Sequence, residues 1–482
     1  MLKYIGICFE DIIGKKELFP FRIYKSDINK RPYIKVDFNG QKDKIFYFED
    51  ILSLFIYKLF EKLFNKINLQ NPNNTSINLF VVLSLPNYLT YLQKKIIEKI
   101  FYNQIFPQNI VYNGYKINLK KINLVSSINI SYLYEIISKD ANSIKNSDEK
   151  NVLIINSDKC SINISVVHIN KQIYEVKAIE SASFGEEDLN DNYLCYCIRN
   201  LENKENINLI KFPALLYQIK RNISLFKKNL DVISQMQLML DVNNCFNGNG
   251  KNNIEIILKK DDYEIACEDF FKKIFFLIKE VIFKSKVLNN DFNELILIGQ
   301  TAKSKKMKKI LSEIFEKNKN INEILSSKSY NKEIDSEQYS VIGGVVQSLN
   351  NNNLLKQKYS FIDICPCSFG VESIGGMMEI ILEKGNILPS KNKKLVKINN
   401  IGDNICINIF EGEDRYVKNN KFIVTATITK KNIGYNNNKN YADLYIQLEL
   451  DNDNNLKCFI DEPFSKNRYE CLININVVKN NF

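Results

Sequence analysis

YSFIDICPCSFGVESIGGMMEIILEKGNILPS, residues Tyr359–Ser390, followed by NICINIFEGE at Asn404–Glu413, marks the place where this chain changes character. Before it, strand-like apolar runs alternate with long helical patterns, the rhythm of an α/β domain. After it, short alternating segments are punctuated by Asn/Asp turns, as in an all-β domain. Tyr359–Asp363 is therefore read as the hinge between the two.

The order Asp363, Pro366, Ser368, Gly370, Glu372, Gly375 and Gly376, with Pro389 in the next turn and Gly412-Glu413 after the following strand, resembles the linker and first β-strands of the heat-shock protein 70 family. The resemblance implies a two-lobed, actin-like (ribonuclease H-like) α/β nucleotide-binding domain over 1–355, partly deleted in its first lobe. A linker at 356–363 and an all-β peptide-binding sandwich over 364–482 follow from it, and the family's helical lid would begin where the chain stops.

Composition bounds the rest. With 482 residues, 45% hydrophobic and 25% charged, the chain can fill two or more cores and is not biased toward disorder. No apolar run reaches the roughly 18–20 residues of a membrane helix, and MLKYIGICFE lacks a secretory pattern, so a cytoplasmic protein with no membrane partner is expected. The eleven Cys include only Cys195-x-Cys197 and Cys365-x-Cys367 as close pairs, neither at zinc or redox spacing; reduced, mostly buried thiols and no metal site are expected. The net charge of +11 comes from dispersed Lys, which suits an anionic partner such as a ribosome or a solvated surface equally well and suggests no direct DNA contact. KSKKMKK at Lys303–Lys309 is read as an ordinary exposed helix face.

Set beside the family, the nucleotide-binding half departs at its chemical positions. YIGICFED resembles the first strand and phosphate loop, but Cys8, Glu10, Asp11 and Ile12 stand where Asp, Gly and paired Thr would hold phosphate and magnesium-bound water; acidic groups there repel phosphate. The segment after it, with the phosphate-contacting Lys, is read as deleted. In the second lobe, Asn156 and Asn163 take the places of the magnesium-organising carboxylates, Asp158-Lys159-Cys160 the place of a triple Gly, and Ser126 that of the water-positioning Glu. An amide carries no charge to balance Mg²⁺. Positions matching the family's nucleotide contacts are Ser161, Gly185, Lys227, Lys228, Gly299, Thr301, Lys303 and Glu337, with Lys303 replacing a stacking Arg whose planar guanidinium it lacks. Buried phosphate-free packing, two Lys on a solvated helix face and tight glycine turns explain the same residues without a ligand. The resemblance thus implies ATP or ADP held weakly, magnesium held poorly and ATP hydrolysis lost, leaving no catalytic residue to name.

By the same resemblance Pro86, Lys94 and Asp363 fall on the family's interdomain relay, and Val371, Ile374, Val396, Ile405 and Ile407 on its cleft for an extended apolar peptide; a strand-closing Pro and an ordinary sandwich core are the plain alternatives. Alternation puts Ile405, Ile407 and Ile409 on one face, Leu444, Ile446 and Leu448 on another, and Ile473, Ile475 and Val477 on a third. The reading is an atypical chaperone or co-chaperone for unfolded or nascent polypeptide, with a J-domain protein and the ribosome as implied partners. Its alternatives are an ATP-dependent foldase with a weak ATPase and a structural protein–protein adaptor.

Overall fold

The computed structural model describes residues 2–19, 21–38, 40–66, 76–106, 110–112, 115–127, 130, 149–205, 209, 212–230, 232–241, 253–326, 336–352, 354, 359–399, 404–429, 441–461 and 468–471. Among them no helix is long and apolar enough to cross a membrane.

The first lobe is built on Ser76–Leu85, which lies parallel to Tyr115–Ser126, itself antiparallel to Ile110–Tyr112. Ile77, Leu79, Val81 and Leu83 point to one side and pack on the helices Phe48–Lys66 and Tyr91–Ile100. Pro86 ends the strand, and Thr90 begins the second helix: its hydroxyl accepts from Gln93 N–H at 3.2 Å while the Gln93 carboxamide accepts from Thr90 N–H at 3.0 Å. This reciprocal cap satisfies donors that the first helical turn leaves free. The expected first strand at YIGIC does not form. Leu2–Tyr4 is a 3₁₀ turn, because Gly6 takes a left-handed φ of 66° and its N–H donates to the Glu49 carboxylate at 2.7 Å, turning the chain so that Ile5 enters the helical core.

The second lobe centres on a five-stranded sheet in the order Phe292–Ile298, Lys150–Ser157, Ile162–Asn170, Ile173–Ala182, Ser360–Ile362. Its strands read as nearly continuous apolar runs because both faces are covered. Leu153 and Ile155 join the core that contains the helix Glu268–Ser285, and the alternate Val152 and Ile154 join the core under Val346 and Tyr359. In that helix Phe270, Phe271, Ile274, Ile278, Val281 and Ile282 are all buried, as their spacing requires. Lys305, Lys306 and Lys309 line the solvent side of Lys305–Ile314 while Met307 is buried, so the basic cluster is a helix face.

The fifth strand comes from the stretch Tyr359–Asp363, expected to act as the hinge. Ser360, Phe361 and Ile362 run parallel to Ile173, Tyr174 and Glu175, and Phe361 stacks on Tyr174 with centroids 5.2 Å apart. Asn350, in the helix Ser336–Asn351, clasps the hinge entry: its Nδ2 donates to the Tyr359 carbonyl at 2.9 Å and its Oδ1 accepts from Tyr359 N–H at 3.0 Å.

Beyond the hinge two four-stranded antiparallel sheets face each other. One runs Met377–Leu382, Phe369–Ser373, Asn404–Glu411, Lys421–Thr429; the other runs Ser390–Asn399, Tyr441–Leu450, Leu456–Asp461, Arg468–Cys471. Ile405, Ile407 and Ile409 meet Leu444, Ile446 and Leu448 in one core, as alternation demands. The third expected face, Ile473, Ile475 and Val477, lies outside the described residues.

Gly299 closes the first strand of the five-stranded sheet at φ 89°, and a Cβ there would run into the Ser157 carbonyl. Gly299→Ala therefore combines backbone strain with a clash against fixed backbone, and we expect a loss of about 2–4 kcal/mol in urea unfolding. A loss below 1 kcal/mol, on the order of a surface substitution, would show that the two strands separate easily there.

Candidate functional site

The hairpin between Lys150–Ser157 and Ile162–Asn170 places Asn156 opposite Asn163, one register step from the turn, and both side chains are buried. Their amides organise a hydroxyl network. Asn156 Nδ2 donates to Asp158 Oδ2 at 3.3 Å, Ser161 Oγ donates to the same oxygen at 3.4 Å, and Asn163 Nδ2 donates to Ser161 Oγ at 3.2 Å. Ser181 Oγ donates to Asn163 Oδ1, which also accepts from Asn87 N–H of the first lobe at 3.3 Å. Asp158 is the one acid in this network. Burial holds its carboxyl up at about 6, with the Ser161 hydroxyl pulling the other way.

Gly185 packs directly over this turn, where a Cβ would strike the Asp158 carbonyl and Ser161 nitrogen. Contact with backbone explains the glycine. Glu186 N–H then donates to the Asp158 carbonyl at 3.1 Å and Glu187 N–H to the Lys159 carbonyl at 2.8 Å, so the start of the helix Glu186–Glu205 is capped by the turn itself. Lys227, in the last turn of Pro213–Lys228, is ion-paired with Glu186; burial lowers its ammonium pKa, and Glu186 opposes the shift. From the first lobe, Lys3 Nζ lies 3.6 Å from Asp188, which also accepts from Gly185 N–H at 2.9 Å. The Tyr88 hydroxyl is buried without a hydrogen-bond partner among the described residues, and its pKa is raised by burial first, then by Cys160 and Asp158.

Ser161, Gly185, Gly299 and Lys227 are thus gathered around one turn. Thr301 is buried in the tight turn after Gly299, and Lys303 follows it, with its N–H on the Gly299 carbonyl at 3.3 Å. Lys228 is exposed at the helix end, and the Glu337 side chain lies outside the described residues. Lys94 and Asp363 line one cavity of about 570 Å³ between the first lobe, the helix Ser336–Asn351, the hinge and the sandwich; Asn87, next to Pro86, lines it too. Val371, Val396, Ile405 and Ile407 are buried together in the sandwich core, and Ile374, 39% exposed at the turn after Phe369–Ser373, is the one that reaches solvent.

A contact that the sequence reading missed joins the two halves. Tyr91, the first residue of its helix, is buried in the sandwich core: its ring stands edge-on to Phe369 at 6.1 Å and its hydroxyl accepts from Leu456 N–H at 3.3 Å. Tyr91 N–H donates to Glu411 Oε2 at 2.6 Å. Lys95 reaches the Asn455 carboxamide at 2.7 Å, Lys121 pairs with Asp453 at 2.9 Å, and Lys384 of the sandwich pairs with Glu180 of the second lobe at 2.9 Å. Nothing in the local pattern marks Tyr91 or Glu411, because their environment exists only after the halves meet.

The Hsp70 protein family model matches residues 2–433. The chain belongs to the heat-shock protein 70 family. It is 22% identical over 437 residues to the heat shock 70 kDa protein of Neurospora crassa, covering 89% of this chain and 61% of that one. It is also 22% identical over 435 residues to heat shock cognate 70 kDa protein 3 of Dictyostelium discoideum, covering 89% and 63%. This Hsp70-family chain thus spans about three-fifths of the length of the curated relatives it matches.

Glu411 is expected to make the joint of this Hsp70-family protein sensitive to pH. Burial raises its carboxyl from the ordinary 4.5 to about 7, against the opposing effects of the Tyr91 N–H and of Lys94. Between those values the docked form holds a proton that the separated form has released, so docking is strongest at low pH and weakens as pH rises to about 7, by about 3 kcal/mol in all. X-ray scattering from pH 5 to 8 should show the natural chain expanding and Glu411→Gln remaining compact throughout. Equal expansion of both would remove Glu411 as the cause.

Proposed function

We propose that this protein binds extended apolar polypeptide segments through its β-sandwich and has lost ATP hydrolysis. One observation carries the reading: the turn where an Hsp70-family nucleotide site would hold its metal offers a single carboxyl, Asp158, surrounded by amides and hydroxyls. A hard divalent cation needs several charged or carbonyl oxygens in open octahedral array. Asp158 instead has its pKa raised toward 6 by burial, Asn156 and Asn163 are neutral, and the neighbouring Asp188 is engaged by Lys3 and Gly185. This donor set does not fit a magnesium–nucleotide complex. Phosphoryl transfer, which rests on metal-held phosphate and a positioned water, is not expected from it.

The first-lobe deletion and the missing phosphate loop belong to the same reading, supported by the 3₁₀ turn at Leu2–Tyr4 and the acidic Glu10 and Asp11 after it. Polypeptide binding draws support from the sandwich, where apolar residues approach the surface at Ile374 and at Leu395, 53% exposed. A J-domain protein or the ribosome as partner, a cytoplasmic location and the division at 356–363 rest on family likeness alone.

Two measurements test this on the full chain. Calorimetric titration with ATP and Mg²⁺ should give no saturable binding, while the Asn156→Asp, Asn163→Asp variant should gain some; micromolar binding by the natural protein would replace this proposal with the weak foldase. Anisotropy of a labelled apolar peptide should weaken at least about tenfold, roughly 1.4 kcal/mol, in Ile374→Asp. Ile405→Asp is the wrong probe, since that side chain is fully buried and a charge there would unfold the sandwich. Unchanged peptide affinity in Ile374→Asp would favour the adaptor instead.

A further inference from the structure

Cysteines scattered through a chain usually pack as small apolar side chains, as Cys197, Cys267 and Cys365 do here. Cys458 and Cys471 differ in being placed opposite one another. Leu456–Asp461 and Arg468–Cys471 are antiparallel neighbours, and their register pairs Cys458 directly with Cys471. Facing residues on such a ladder hold their Cβ atoms roughly 4.5–5.5 Å apart, close to the separation a disulfide requires. Both residues are buried, and they face each other across the ladder. The strands themselves set this geometry, so oxidation needs only a small closure of the sulfurs.

We propose that Cys458 and Cys471 form a dithiol site that is oxidised by a low-molecular-weight disulfide to a cross-strand disulfide. The chemistry is an exchange. The Cys471 thiolate attacks one sulfur of the small disulfide, forming a mixed disulfide and expelling one small thiolate. Cys458 then gives up its proton and attacks Cys471 Sγ, closing the protein disulfide and expelling the second small thiol. Two protein thiols are oxidised while one small disulfide becomes two thiols, and no other reactant is required.

The order of attack follows from the site. Cys458 lies on Leu456–Asp461, which is paired on both sides, whereas Cys471 lies on Arg468–Cys471 at the end of the sheet, so Cys471 is the sulfur that a small oxidant reaches first. Among the described residues Cys471 lies on the end strand of its sheet, paired there with Leu456–Asp461, and end strands open locally more readily than central ones. The buried sulfur meets the oxidant when this strand lifts, and its partner is waiting when it returns. The product ties the end strand to its neighbour by a covalent bond.

The experiment uses the full chain and oxidised glutathione, with reduced glutathione as control. After acid quench and alkylation, trypsin cuts after Lys466 and Arg468, leaving the two cysteines on separate peptides unless they are bonded. We expect a linked pair of peptides, loss of alkylatable thiol at both positions, recovery on adding dithiothreitol, and slowed amide exchange at Tyr469–Cys471 in the oxidised form. Cys458→Ala should stop at a glutathione adduct on Cys471. The proposal is overturned if natural Cys471 also stops at that adduct, if either cysteine bonds elsewhere, or if both stay free while the exposed Cys8 and Cys406 react.

Discussion

Tyr91 opens a helix of the α/β half and is buried in the core of the β half, and the relation between the halves depends on that one insertion. Its ring supplies apolar area, its hydroxyl and N–H are both satisfied by the sandwich, and the acceptor of the N–H is a carboxylate taken out of water. Burying a carboxyl is costly unless it is hydrogen-bonded or protonated. Glu411 therefore makes the contact conditional, where a neutral acceptor would make it permanent. Around this point the polar contacts of Lys95, Lys121 and Lys384 reach across to the sandwich or the second lobe. Such partly exposed pairs fix orientation more than they add energy.

The hinge strand works with this insertion. Ser360–Ile362 pairs with the last long strand of the second-lobe sheet while Tyr91 comes from the first lobe, so the sandwich is held at two points on two lobes. A change in the angle between the lobes must move one point relative to the other. Asn163, which accepts from both Ser181 and the first-lobe Asn87, ties the two lobes together at the turn. The candidate nucleotide turn and the domain joint are linked through backbone a few residues long: Asn87 and Tyr91 flank a single cap at Thr90.

Much of the fold was legible in the sequence because it is written in periods. The alternation of Ile405, Ile407 and Ile409 and the helical spacing from Phe270 to Ile282 each specify a face, and each face is buried as read. YIGIC misled because four apolar letters suit a strand, whereas Gly6 and the distant Glu49 decide for a turn. The site was half legible. Asn156 and Asn163 could be placed by likeness, but the roles of Asp158, Lys3 and Tyr88 arise from three-dimensional neighbours that no spacing announces.

Gly185 and Gly299 show why retained motif residues are poor evidence for a retained activity. In a phosphate cradle glycine lets backbone approach a ligand. Here both glycines let backbone approach backbone: Gly185 over Asp158 and Ser161, Gly299 against Ser157. That packing demand persists whatever becomes of the chemistry, because an added methyl group would meet backbone atoms at 2.9 Å or less. A glycine held by such a contact says that the fold needs it there, and activity has to be argued from the side chains around it.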